Sequence, residues 1–240
     1  MISDMLKIPS PELAAALKGA AAIVETKNML PILGMVKLEA SDLGHLNVTT
    51  SNLDVEYFQS LSASVETGFS CCVDAKRFAA MASAASGDLS LSLSGSILTV
   101  KSGRSRWAVP AVPADDFPAM PVAGLCKPMA LSPAVLVKRL LWAASTEMTR
   151  AYLSGIFMSQ HEAKAHFVAS NGYVMPTVQT STKWPKGAPD IILAPGFLKA
   201  LPDETGTLEW DEGKARFTAG SITVTGNSIE GQFPDFRRTW

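Results

Sequence analysis

The chain of 240 residues has few of the residues that build a disulfide framework or a metal site. It contains three cysteines and three histidines, and no apolar run approaches the roughly 20 residues that span a bilayer. Cys71 and Cys72 are adjacent, which is typical of a buried strand edge and not of a disulfide. Residues 1–11 lack the pattern of a signal peptide. We therefore expect no disulfide scaffold, no membrane partner and a cytoplasmic location.

Net charge is also small. The chain is 47% hydrophobic and 18% charged, which is typical of a folded globular protein, and its formal net charge is −1. This balance gives no global indication of nucleic-acid binding. A near-neutral protein can still concentrate Lys and Arg on one face, so any DNA contact has to come from a local basic patch.

Sequence patterns of catalytic sites are missing as well. The three histidines, His45, His161 and His166, have no cysteine or carboxylate at metal-ligand spacing. No P-loop, nucleophile elbow or dinucleotide fingerprint occurs. A metal-dependent nuclease is an alternative if one of three pairs of adjacent acidic residues binds the metal. Adjacent acidic residues in turns are, however, usually only solvated. The pairs are Asp115-Asp116, Asp203-Glu204 and Asp211-Glu212. We expect no catalytic residue, no metal and no cofactor.

What the chain does contain is an internal repeat. Five short matches recur in the same order at offsets between 122 and 116 residues, a drift that loop insertions and deletions produce. They are Ser10-Pro11 with Ser132-Pro133, Ser51-Asn52 with Ser170-Asn171, Phe78–Met81 with Leu198–Leu201, Ser102-Gly103 with Ala219-Gly220, and Phe117-Pro118 with Phe233-Pro234. We predict two domains of one kind, residues 1–123 and 124–240, joined near the Pro- and Gly-bearing stretch Pro121–Lys127.

Each copy follows the order helix, strands, helix, strands, which predicts an α+β fold. In the first copy Ser10 is expected to cap a helix with Pro11 at its first position, and Asp74 to cap a second helix. The expected apolar stripes are Leu13, Leu17, Ala21 and Val24, and Phe78, Met81, Ala82 and Ala85. Expected strands lie at 36–40, 46–50, 61–65, 89–93, 98–100 and 107–109. The second copy is expected to have helices from Ser132 and over 195–201, and strands at 155–158, 166–169, 208–210, 215–217 and 222–224.

Six segments spread over nearly the whole chain carry a family pattern. They are Lys27–Leu33 (KNMLPIL), Thr50–Glu56 (TSNLDVE), Ser102–Arg106 (SGRSR) followed by Asp115–Pro118 (DDFP), Thr149–Gly155 (TRAYLSG), Ala169–Gly172 (ASNG) and Phe233–Arg238 (FPDFRR). In order and spacing they resemble segments of the bacterial DNA polymerase III beta subunit, the DNA sliding clamp family. The chain resembles a version of that family with two clamp domains in place of three.

The resemblance implies a non-catalytic ring of six similar domains, each with two helices packed on antiparallel sheet, that encircles double-stranded DNA and tethers a replicative DNA polymerase. Basic groups that meet phosphates without reading bases suit a ring that slides. The candidate DNA-binding residues are Lys18, Lys27, Lys76, Arg77, Lys138, Arg139 and Lys199. A solvated helix face would carry the same residues. Against strong DNA contact, Ala194-Pro195-Gly196 stands where the family commonly has basic residues.

The resemblance also implies a pocket for short hydrophobic peptides of the polymerase and the clamp loader. An apolar groove with a few polar groups suits such peptides. The matching positions are Leu153, Ser170, Gly172, Tyr173, Val174, Met175, Pro234, Arg238 and Thr239. Tyr173 stands where the family often has His, and Val174 where it often has Arg. The family's third domain completes the groove, and these residues could instead simply pack a sheet edge.

Three copies of a two-domain chain restore the six domains that the resemblance implies. We therefore expect a homo-oligomer, a head-to-tail trimer, with a dimer or a monomer as alternatives. An alternative function is a clamp-derived interaction protein, which would bind or cap another clamp without forming its own ring.

Overall fold

The computed structural model describes residues 5–25, 30–121 and 124–239, and it leaves the side chains of Val135, Met148, Arg238 and Thr239 undescribed. It divides into two compact units, Met1–Met120 and Pro121–Trp240. The sequence placed this division three residues later, between residues 123 and 124. No helix in the described parts of the chain is both long and apolar enough to cross a membrane.

Unit 1 packs two helices, α1 (Ser10–Ala22) and α2 (Ala75–Ala84), against antiparallel strands. The strands are β1 (Leu6–Pro9), β2 (Met35–Ser41), β3 (His45–Ser51), β4 (Val55–Ser62), β5 (Ser64–Val65), β6 (Phe69–Asp74), β7 (Asp88–Ser94), β8 (Ile97–Ser102) and β9 (Ser105–Val112). They follow one another in the order β4-β3-β2-β6-β9-β8-β7-β1-β5. A 3₁₀ turn, Pro31–Gly34, precedes β2.

Unit 2 has helices α3 (Pro133–Leu140) and α4 (Pro195–Ala200). Its strands are β10 (Met129–Leu131), β11 (Ile156–His161), β12 (Lys164–Val168), β13 (Thr177–Lys183), β14 (Ile191–Leu193), β15 (Gly206–Trp210), β16 (Lys214–Ala219) and β17 (Ile222–Asn227). They pair in the orders β13-β12-β11-β14 and β10-β15-β16-β17. Three 3₁₀ turns lie at Leu141–Ala143, Met148–Leu153 and Phe236–Thr239.

The two units share one topology. The order β4-β3-β2-β6 of unit 1 corresponds to β13-β12-β11-β14 of unit 2, and β9-β8-β7-β1 corresponds to β17-β16-β15-β10. In unit 1, β6 and β9 join the two halves through the pair Cys72 and Val112. In unit 2 the equivalent link is an isolated bridge between Leu193 and Ser228. Two helices on antiparallel sheet in each unit confirm the predicted α+β fold.

The helix starts were predicted with mixed success. Asp74 caps α2 as expected, because its carboxylate accepts the backbone N–H of Arg77 at 2.8 Å. The prediction for Ser10 was wrong, because Pro9 is the N-cap of α1 and the Ser10 hydroxyl donates to the Ala85 carbonyl at 3.3 Å. In α1 the buried stripe also differs, since Ala16 and Ala20 are buried with Leu13 and Leu17, and Ala21 is half-exposed.

The strand predictions were incomplete in both units. The expected strand at 61–65 covers only the end of β4 and the short β5. Strands β1, β6, β10, β13 and β14 were not predicted. Cys71 and Cys72 do lie in a strand, but the expectation of a strand edge was wrong because β6 lies between β2 and β9.

Three buried ionisable groups give unit 1 a predicted pH dependence. Burial raises the pKa of Cys71 to about 12, with a contribution from Cys72, and raises the pKa of Tyr57 to about 12. Burial also raises the pKa of Cys72 to about 11, although Lys37 opposes it. The folded state therefore favours the neutral thiols and phenol. Their contribution to stability is complete below pH 9 and is lost as the pH rises through 11 and 12.

We expect the free energy of unfolding to fall between pH 9 and pH 12, by up to about 1.4 kcal/mol per pH unit for each of these groups. Urea unfolding at a series of pH values measures this. The double variant Cys71→Ala, Cys72→Ala should fall less steeply between pH 9 and pH 11. Identical slopes for this variant and the original chain would contradict the prediction.

Candidate functional site

Basic side chains are exposed on all four helices. Lys18 lies on α1, Lys76 and Arg77 on α2, Lys138 and Arg139 on α3, and Lys199 on α4. Lys27, the remaining DNA-binding candidate, lies outside the described residues. Of the six, Lys18, Arg77, Lys138, Arg139 and Lys199 form no ion pair within the described parts of the chain. Their charges are thus available to a ligand.

In unit 1 the helices bring two of these lysines to one groove. Helices α1 and α2 pack side by side, and Lys18 and Lys76 line a groove of about 340 Å³ between them. Its other lining residues are small, namely Ala21, Ala22, Ala79, Ala80 and Ser83. Small side chains keep this face shallow, so a broad anion such as a phosphate backbone can approach both ammonium groups.

In unit 2 the basic residues lie near a large aromatic side chain, that of Trp142. Lys138 and Arg139 occupy the last turn of α3, where positive charge also favours the helix dipole. Lys199 lines a groove of about 350 Å³ together with Val137 and Trp142. Trp142 is 65% exposed. Sequence reasoning missed Trp142, although a tryptophan three residues after a Lys-Arg pair was a visible signal.

The central residues of the predicted peptide pocket form a tight turn between β12 and β13. The Ser170 hydroxyl donates to the Val174 carbonyl at 2.9 Å and accepts the Gly172 N–H at 3.0 Å. The Asn171 side-chain oxygen accepts the N–H groups of Tyr173 and Val174. Gly172 has a φ of +92°, a conformation that a larger residue would adopt only under strain. The turn leaves the Tyr173 side chain 91% exposed.

Two other pocket residues lie in a hydrophobic cluster below this turn. Leu153 is only 5% exposed and packs in one cluster with Val168, Ile192, Phe233 and Phe236, against which Met175 is half-buried. Pro234 lines a cavity of about 770 Å³ whose described walls include none of the other pocket candidates. The side chains of Arg238 and Thr239 lie outside the described residues. The structure therefore brings Leu153 and Met175 together, and Pro234 directly follows Phe233 of the same cluster.

Aromatic contacts hold the segment 233–239 on unit 2. Phe233 stacks on Phe157 with ring centroids 4.8 Å apart, and Phe236 meets His166 edge to face at 5.2 Å. The Arg237 guanidinium donates to the Gln160 carbonyl at 3.0 Å. Burial lowers the pKa of His166, and the nearby His161 and Arg237 lower it further. The neutral form of the His166 ring is thus favoured in this contact.

Acidic residues have structural roles where the geometry is clear. The Asp211 carboxylate accepts the N–H groups of Gly213 and Lys214 at 2.8 and 2.6 Å, so it closes the turn between β15 and β16. Among the described residues no three His, Cys, Asp or Glu side chains gather into a group that could hold a metal. This geometry gives no support to the nuclease alternative.

Comparisons with known proteins agree on a single family. Residues 5–121 match the family profile described as DNA polymerase III beta subunit, N-terminal domain. The beta sliding clamp of Caulobacter vibrioides is 30% identical over 256 residues, an alignment that covers 97% of this chain and 67% of the relative. The chain belongs to the beta sliding clamp family. The beta sliding clamp of Vibrio cholerae is 26% identical and is covered over 65% of its length.

Solved sliding clamps have the same fold. The crystal structure of the DNA polymerase sliding clamp from Caulobacter crescentus superimposes with a TM-score of 0.89 at 29% identity, over 98% of this chain and 68% of that chain. The sliding clamp from Bacillus subtilis gives a TM-score of 0.91 at 18% identity, which shows the fold alone. The chain thus spans about two thirds of the length of these clamps.

Proposed function

We propose that this chain acts as a DNA sliding clamp, a non-catalytic processivity factor that encircles double-stranded DNA and tethers a replicative DNA polymerase. The observation that carries the proposal is the exposure of basic side chains on all four helices, in a chain of the beta sliding clamp family. The family resemblance implies that these helices line the hole of the ring.

The arrangement of charge suits sliding. Five of the basic residues form no ion pair among the described residues, and they are distributed over separate helices. Lys and Arg side chains that contact phosphates bind every sequence equally and hold no fixed register. The proposed DNA contact is weak, sensitive to salt and independent of sequence.

Peptides of the polymerase and of the clamp loader are proposed to dock near the turn 170–175. The exposed Tyr173 and Val174 supply apolar surface, and the hydrophobic cluster below them holds the turn in place. Short hydrophobic peptides are recognised by such surfaces when a few polar groups fix their orientation. Leu153 would support this surface from below, because it is almost fully buried.

The proposed assembly is a head-to-tail trimer of the 240-residue polypeptide. Within the described residues, β13 pairs only with β12, and most of β9 pairs only with β8. An edge of unit 1 in one copy could therefore pair with an edge of unit 2 in the next. Unpaired edges favour such contacts, and a heterologous contact that turns by a third of a circle closes on itself.

The double variant Lys138→Ala, Arg139→Ala tests the DNA contact. We expect it to weaken binding to unrelated duplexes by the same factor, and to reduce the slope of log affinity against log salt by about 1 for each lost phosphate contact. Fluorescence anisotropy with two labelled duplexes of different sequence, at several salt concentrations, measures both quantities.

A matched control removes the same charge from unit 2 away from its helices. Lys164 and Lys186 are exposed, and neither lies on a helix or on the edge strand β13. The variant Lys164→Ala, Lys186→Ala changes the net charge equally and should keep the original affinity. Equal losses in both double variants would mean that net charge alone governs binding, and the proposed helix interface would then be abandoned.

A further inference from the structure

Trp142 is held in a fixed position on the surface of unit 2. It follows α3 in the 3₁₀ turn Leu141–Ala143, and its indole N–H donates to the Arg139 carbonyl at 2.8 Å. This hydrogen bond uses one of the carbonyl groups that a helix leaves without a partner at its C-terminus. Trp142 is still 65% exposed. An oriented and exposed indole can bind a planar ligand at a small cost in side-chain entropy.

The surroundings of Trp142 are basic and apolar. Its groove is also lined by Val137, Leu141, Pro195 and Lys199, together with small residues. Lys138 and Arg139 lie one helical turn before it. Glu147, the carboxylate that follows this turn, is 3.6 Å from the Arg150 guanidinium, so its charge is partly compensated. A ligand that fits this groove has a planar ring with an apolar face, and it carries negative charge at its edge.

We propose that Trp142 stacks on an unpaired base of a DNA strand while Lys199, Lys138 and Arg139 contact the adjoining phosphates. The inference rests on the proposed function, because it takes DNA as the partner, and it adds a preference for single-stranded segments. Bases inside a duplex are stacked on each other and offer no free face, so the lysines and the arginine alone would meet duplex DNA. Aromatic side chains between basic groups bind single strands of any sequence.

The test compares Trp142→Ala with the original chain on two probes, a dT oligonucleotide of about 20 nucleotides and a duplex of equal length. Loss of base stacking should weaken binding of the oligonucleotide about tenfold and change binding of the duplex less than about twofold. Trp142→Phe should lie between the two, because it keeps a ring and loses the hydrogen bond to Arg139.

Fluorescence gives a second readout on the same proteins. The chain has five tryptophans, so the emission of Trp142 is obtained by subtracting the emission spectrum of Trp142→Phe from that of the original chain. The oligonucleotide should quench this difference. Leu43→Ala, which removes an exposed apolar side chain from the turn between β2 and β3, serves as the control and should bind both probes normally.

The outcomes separate this inference from the proposed function. Equal weakening on both probes, or no weakening on either, overturns base stacking and leaves duplex binding standing. Quenching of Trp142 by an apolar peptide and not by the oligonucleotide also overturns it, since the groove would then be a peptide site. An original chain that binds neither probe overturns the inference together with the proposed function.

Discussion

A polypeptide of these 240 residues should have three times its monomer mass of 25.5 kDa in solution. The reason lies in two strand edges. The Ala111 N–H donates to the Ser96 carbonyl at 2.8 Å, so it points to the same side as β8. Hydrogen-bonded and non-hydrogen-bonded pairs alternate along antiparallel strands, so the N–H groups of Arg106 and Ala108 on β9 point away from β8. Pairing such an edge with that of another copy satisfies these groups. Light scattering between micromolar and hundred-micromolar concentrations measures the mass.

A proline on the opposite edge should abolish the trimer. The register of β12 and β13 places the Gln179 N–H on the side away from β12. The substitution Gln179→Pro therefore removes a donor from the free edge of β13, and it breaks no hydrogen bond between β13 and β12. Circular dichroism and the thermal transition verify that the variant is folded. If the original chain stays at one or two copies up to the highest concentration, the trimer proposal fails and the family assignment stands.

Replacement of Trp210 by alanine should lower the free energy of unfolding by about 3–5 kcal/mol. The Trp210 indole has no exposed surface, its N–H donates to the Pro189 carbonyl at 2.7 Å, and it packs edge to face on Trp184 at 5.1 Å. The substitution leaves a cavity and an unpaired carbonyl. Such a loss is a large fraction of the 5–15 kcal/mol that is typical of a folded domain. Guanidinium unfolding, followed by circular dichroism, measures it.

Trp142→Ala is the matched control for this prediction, because it removes the same side chain from a site that is 65% exposed. Its effect on the free energy of unfolding should be about 1 kcal/mol, because it removes one hydrogen bond at the surface and little buried area. Similar losses in the two variants would mean that the packing around Trp210 contributes little to stability.

The family and the α+β fold could be predicted from sequence because their signals are local. Segments such as Thr50–Glu56 and Phe233–Arg238 keep a residue pattern in order, and Asp74 marks a helix start by its own hydrogen bond. The basic residues were also assigned to the correct helices, since helices tolerate Lys and Arg on their exposed face. Whether they contact DNA stays a prediction.

Several strands could not be predicted because their residues are selected by neighbours distant in sequence. Strand β6 has three consecutive buried residues, Cys71–Val73, so its sequence lacks the alternation of a half-buried strand. Strand β13 is an edge strand with mostly polar residues, and its sequence resembles that of a loop. Predicting either one requires the strands that pair with it.

The sequence by itself determined the repeat, the fold class, the family and the position of each basic residue along its helix, because periodicity, caps and ordered motifs are properties of short segments. Only the tertiary structure decided which side chains meet. It buried Leu153 in one cluster with Phe233 and Phe236, and placed Lys199 beside Trp142 in one groove. These contacts join residues dozens of positions apart, and their packing is fixed when the strands pair and the helices dock on them.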